Sequence, residues 1–206
     1  MVTEEIFKIN EVKDVDLAVL PTEGAKELAK MVDKYLVQWY NEAAEKSNLP
    51  KKDTFLINSK CPRFTTGDGK GIINDSVRGK DLFFICDVGN YSIEYTMFGT
   101  PNRMSPDDHY CDLKRLICAN AGKARRMTVI MPILYGGRQH RRNSRESLDC
   151  AQMLKELESM GVTDIITFDA HDPRVQNAVP EMGFDNFFAT YQILKALLKE
   201  YPQVNL

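Results

Sequence analysis

The stretch LYGGRQHRRNSRES, residues 134–147, sets Arg138, Arg141, Arg142 and Arg145 behind the glycine pair Gly136 and Gly137, with no acid before Glu146. Glycine permits positive φ and close backbone approach, so amide N–H groups there can point at an anion. Guanidinium forks add charged donors that match phosphate oxygens. Ser144 is placed to cap a following helix, whose N-terminus is itself an anion site. The chemistry these residues suit is polyphosphate binding. On the residues alone a second reading stands beside it, a basic face that is simply solvated.

His171 sits in TFDAHDPR, two residues after Asp169 and beside Asp172. Imidazole can ligate a divalent metal or donate to phosphate, and nearby carboxylates can orient it or share the cation. A structural hydrogen bond within a folded loop is the alternative. Neither GxxxxGK[ST] nor GxGxxG occurs. TTGDGKG, residues 65–71, is not a phosphate loop, because glycine follows Lys70 and no helix signal comes after it; its residues suggest a hairpin turn.

The elements that must position these groups follow from apolar spacing. DLAVL (16–20), TFLI (54–57), LFFICDV (82–88), MTVIMPI (127–133) and DIITFDA (164–170) read as strands. MTVIMPI is apolar on both faces, as a central strand of a covered parallel sheet should be. Helices are expected from Ala25 to about Glu45, with Leu28, Met31, Val32, Tyr35, Leu36 and Trp39 on one face, and over 112–121, closed by Gly122. A third follows Ser144, with a stripe of Leu148, Ala151, Leu154 and Leu157 ending before Gly161, and an amphipathic one runs from Tyr191 to Tyr201. Residues 89–108, with Pro101 and Pro106, read as loop. Strand and helix alternating in this way predict one α/β domain over residues 1–206, a mostly parallel sheet sandwiched by helices. Ligands bind such sheets beyond the carboxyl ends of the strands. YGGRQHRR and DAHDPR leave two of those ends and can face one pocket.

Composition bounds the rest. With 206 residues, 43% apolar, the chain is long enough for a sizeable core. A net charge of -2 argues against a general nucleic-acid or polybasic membrane binder, so any cationic site is local. An RNA contact along Lys123 to Arg145 is disfavoured by this balance and by the scarcity of aromatic residues for stacking. Five widely spaced cysteines without a CxxC pair suggest free thiols, several in apolar contexts such as FFICDV and RLICAN. MVTEEIFKINEVKD is too charged for a secretory signal, and no apolar run reaches membrane-spanning length, which together lead us to expect a cytoplasmic protein.

Four blocks, RGKDLFFI, MTVIMPILYGGRQHRRNSRESLD, DIITFDAHDPRVQ and GFDNFFA, resemble in order and spacing the N-terminal half of the phosphoribosyl pyrophosphate synthetases, or ribose-phosphate pyrophosphokinases. The likeness covers most of residues 60–190. It implies a phosphoribosyltransferase-like N-terminal domain of an enzyme that transfers diphosphate from Mg²⁺-ATP to ribose 5-phosphate, in a hexameric or dimer-based homo-oligomer. Arg138 and Gln139 then match ATP-binding positions, and His171 matches the active-site histidine near Mg²⁺ and the phosphates. Phe64, Thr66 and Asp68 match a hairpin that clasps adenine in a neighbouring subunit, a role the turn alone does not suggest. Ser76, Arg78, Ser144 and Arg145 match an allosteric phosphate or ADP site.

The chain departs from that pattern at several points. The loop after Gln139 is about one residue shorter, His140 stands where an acid is common, Ser147 replaces a typical proline and Asp172 a typical alanine, while the 89–108 loop is longer. The family's C-terminal elements, a ribose 5-phosphate loop, a mobile Lys/Arg loop and a metal-binding aspartate, have no counterpart here. The expectation is therefore an N-terminal half, inactive alone; a non-catalytic regulatory subunit that binds nucleotide or phosphate is the alternative.

Overall fold

The computed structural model describes residues 16–203. The charged start read above against a secretory signal lies outside them. Five parallel strands, β1 (Leu17–Pro21), β4 (Asp81–Ile85), β7 (Arg126–Met131), β8 (Asp164–Phe168) and β9 (Gly183–Phe187), form the sheet in that spatial order. β7 is central, in register with β4 at Leu82↔Met127 and with β8 at Val129↔Ile165, as its two apolar faces require.

Alternation along the strands sends side chains to two covered faces. Leu20, Phe84, Val129 and Ile165 pack with helices α2 (Pro106–Asn120) and α3 (Asp149–Ser159) through Leu113, Leu116, Leu154 and Leu157. Val19 and Ile85 face α1 (Lys26–Ser47), joined by Phe55. Burying each such side chain contributes about 1.5–3 kcal/mol.

Local chemistry sets the helix limits. Ser105 and Asp108 make a reciprocal capping box that spans Pro106, and Ala121 (φ 51°) and Gly122 (φ 68°) end α2 in the left-handed region. The segment expected as loop over 89–108 thus contains the first three residues of α2, and also a small hairpin, β5 (Glu94–Met97) with β6 (Thr100–Arg103). Pro101 is tolerated there because the ribbon has only two strands and an open edge. TFLI is not a full strand: it touches β1 only through Val19, whose amide donates to Phe55 O and whose carbonyl accepts from Ile57 N, both at 2.8 Å. TTGDGKG turns back as expected, between the short strands β2 (Ser59–Lys60) and β3 (Ile72–Ile73).

Four further expectations change. Of the stripe expected on α1, Leu28, Val32 and Leu36 pack toward the sheet, whereas Met31, Tyr35 and Trp39 lie outward, and the small residues Ala29, Ala43 and Ala44 with Tyr40 are the fully buried contacts. Ser144 caps nothing: it takes a left-handed φ of 60° in a bend, and α3 begins only after Leu148, burying Cys150 and Met153 along with Leu154 and Leu157. The final helix, α4 (Thr190–Glu200), is amphipathic in sequence yet buries no residue. Of the free cysteines, Cys86 and Cys150 are core residues, whereas Cys118 of RLICAN is exposed. Among the described residues no helix is long and apolar enough to cross a membrane.

Candidate functional site

The loops that follow β7 and β8 meet at the carboxyl edge of the sheet around a cleft of about 680 Å³. Ile133 to Gln139 line one wall and Phe168 to His171 the other, with Val88 and Gly89 after β4 and Pro106 at the start of α2. Arg138 and His171 therefore share one cavity. His171 is solvent-exposed on its rim, and Asp169, held at φ 45°, lines the same wall.

The glycine pair is used for tight packing. Gly136 has φ 65°, and a Cβ there would meet the Cys150 amide nitrogen at 3.2 Å, where α3 begins. The amides of Gly137 and Gln139 donate to Leu134 O at 3.0 Å and Gly136 O at 2.8 Å. They hold the loop's own turns, so these two backbone donors are already used, and Arg138 is the arginine that lines this wall. Gln139 Oε1 is buried without a hydrogen-bond partner, an acceptor left over beside the cleft.

Behind the loop, Tyr135 stacks on Tyr110 of α2 at 4.5 Å and donates its hydroxyl to Asp107 at 2.7 Å. That bond pushes the phenol up to about 12, so it stays neutral. Sequence reasoning missed Tyr135 as a support, because nothing local marks a contact made across 25 residues. Gly89 was within reach of it: a glycine directly after a strand at the carboxyl edge signals close approach, and a Cβ there would sit 2.7 Å from Ile133 Cδ1.

Asp172 does not point its carboxylate at its neighbour His171. It caps the 3-10 turn Pro173–Ala178 through Arg174 N at 3.0 Å and pairs with the Arg174 guanidinium at 2.6 Å. Oδ2 also lies 3.1 Å from His140 Nδ1, an ion-pair distance. These bonds, the Arg174 side chain foremost, hold its carboxyl well below the usual range. The His140 ring in turn lies 5.2 Å from that of His171.

The remaining candidates lie elsewhere. Phe64 is half exposed at the tip of the β2–β3 hairpin, and Thr66 donates to Asp68 at 2.7 Å; none of the three lines the cleft. The hairpin is fixed at its base by Arg63, which makes a bidentate pair with Asp112 of α2 at 2.7 and 3.0 Å, and Arg115 joins the same carboxylate at 2.7 Å. Ser76 and Arg78 precede β4, and so lie at the amino edge of the sheet, while Ser144 and Arg145 follow β7 at the carboxyl edge. One chain does not bring these four together. No group of three or more His, Cys, Asp or Glu among the described residues forms a metal cage.

The family described as the N-terminal domain of ribose phosphate pyrophosphokinase matches residues 17–161. Over 144 residues the chain is 29% identical to ribose-phosphate pyrophosphokinase 1 of Candida albicans and 31% identical to ribose-phosphate pyrophosphokinase 3 of Saccharomyces cerevisiae, in each case 68% of this chain and 40% of the relative. It thus spans less than half the length of these curated relatives. The crystal structure of phosphoribosylpyrophosphate synthetase from Mycobacterium smegmatis shares the fold at a TM-score of 0.67 and 18% identity, over 90% of this chain and 53% of that one.

Proposed function

Because the chain belongs to the family of the N-terminal domain of ribose phosphate pyrophosphokinase, we propose that it is the ATP-binding half of a ribose-phosphate diphosphokinase. The complete enzyme moves diphosphate from ATP to ribose 5-phosphate, and the sugar phosphate needs a second domain. The observation that carries this reading is the common cleft of Arg138 and His171. Diphosphoryl transfer asks a protein mainly to align two reactants and to neutralise charge developing on phosphate oxygens. Arg138 supplies fixed positive charge, His171 a donor to the phosphates, and Gln139 an acceptor for a donor group of the nucleotide.

Magnesium fits as a cation held chiefly by phosphate oxygens and water, since this hard ion needs few protein ligands and the described residues form no preassembled cage. Asp169 is the oxygen ligand the cleft offers, with His171 beside it. Bound there, the ion would offset triphosphate charge.

Phe64, Thr66 and Asp68 serve the adenine of a neighbouring copy in this reading, in keeping with a hairpin tip that is exposed and away from its own chain's cleft. Ser76 and Arg78 can share an anion with Ser144 and Arg145 only between copies, which is why the proposal includes a homo-oligomer, working in the cytoplasm. The test is turnover of ATP and ribose 5-phosphate with and without a supplied sugar-phosphate domain. Product only in the combined reaction supports the reading; no product in either, with MgATP binding absent, overturns it.

A further inference from the structure

The loop after β7 and the loop after β8 are joined side chain to side chain by His140 and Asp172, at 3.1 Å, with both side chains largely buried. At that distance the ionised carboxylate favours a proton on the facing Nδ1 of His140, which gives the ring a preferred orientation. Asp172 is itself fixed from the far side, where the Arg174 side chain and backbone amide both donate to it. The His140 ring then rests 5.2 Å from the His171 ring, at 57° to it. His171 is exposed, and among the described residues its ring nitrogens make no hydrogen bond that would set the ring plane. A side chain on a cleft rim keeps a productive rotamer only if something packs against it.

We propose that His140 is a positioning residue for His171, and that Asp172, locked by Arg174, is the group that holds His140 in place. Resting on the nucleotide reading above, this makes the His140–Asp172 contact the part that sets both the spacing of the two cleft walls and the direction in which His171 faces a bound triphosphate. It touches neither reacting group, so its loss alters geometry and leaves the charge of Arg138 intact.

The experiment compares His140→Ala, His140→Gln and Asp172→Ala with the unsubstituted chain, by ring ¹H–¹⁵N correlation of the histidines and by titration with MgATP. Glutamine keeps an N–H donor for Asp172. The expected result is a shifted His171 ring signal in His140→Ala and Asp172→Ala, a near-normal one in His140→Gln, and an Nδ1–H tautomer of His140 that is lost in Asp172→Ala. MgATP affinity should fall about tenfold in His140→Ala and recover in His140→Gln, the scale on which groups supporting a ligand's direct contacts act. His171 signals that move with His140 in a chain that binds no MgATP would keep this inference and remove the nucleotide reading. His171 signals unchanged in folded His140→Ala overturn the inference, whatever the affinity.

Discussion

Asp172 Oδ2 and His140 Nδ1 lie 3.1 Å apart, and these are two positions at which the sequence leaves the pattern it resembles. The acid common at position 140 would face Asp172 across that distance and repel it. Histidine there makes the same contact attractive. The two departures thus answer each other, and the cleft keeps its walls joined with the carboxylate on the opposite loop.

The buried Arg63–Asp112–Arg115 cluster anchors the β2–β3 hairpin to α2. Asp112→Ala would leave two guanidinium groups without their anion, Arg63 almost wholly out of water, and should cost about 3–5 kcal/mol in chemical denaturation. A loss below about 1 kcal/mol would mean that the hairpin is held by other contacts.

Thiol labelling separates the cysteines by burial. Desolvation pushes the Cys86 thiol up to about 12 and that of Cys150 to about 11. At pH ~8 both stay neutral, since the unperturbed thiol value is near 8.5. Exposed Cys118 should react within the native protein, and Cys86 and Cys150 only after denaturant is added. Rapid native labelling of Cys86 would contradict the packing of β4.

Acid sensitivity tests the amino edge of the sheet. Hydrogen bonds from Arg125, at 2.6 and 2.8 Å, hold the Asp81 carboxyl below its ordinary 3.8. A lowered folded-state value contributes stability that is full above the ordinary one and is lost as pH falls through the lowered one. Arg125→Ala should therefore move the acid-unfolding midpoint to higher pH, modestly because the arginine is exposed. An unmoved midpoint would remove the pair from the stability of this edge.

Much of this frame is legible in the residues. MTVIMPI announces a central strand, and the polar loops after it and after DIITFDA fall at one edge because parallel strands end together. Other parts are hidden for physical reasons. In α1 the stripe is half legible: Leu28, Val32 and Leu36 pack toward the sheet, while Met31, Tyr35 and Trp39 face out and alanines make the closest contact, because the short distance to the sheet leaves room only for small side chains there. β9 is an edge strand, GFDNF, whose polar Asp185 and Asn186 mask its pairing with β8. The capping box at Ser105 was readable but was overshadowed by Pro101 and Pro106. The contact between His140 and Asp172 spans 32 positions and belongs to tertiary structure alone.

The central claim is that the cleft shared by Arg138 and His171 receives the phosphates of ATP. It is tested most directly by calorimetric titration of MgATP into the chain and into Arg138→Ala, with matched circular dichroism to show that both are folded. Loss of a guanidinium–phosphate contact should weaken binding about 10- to 100-fold, a difference of ~1.5–3 kcal/mol. Equal affinity in the two proteins, or no binding by the folded unsubstituted chain, would contradict the account.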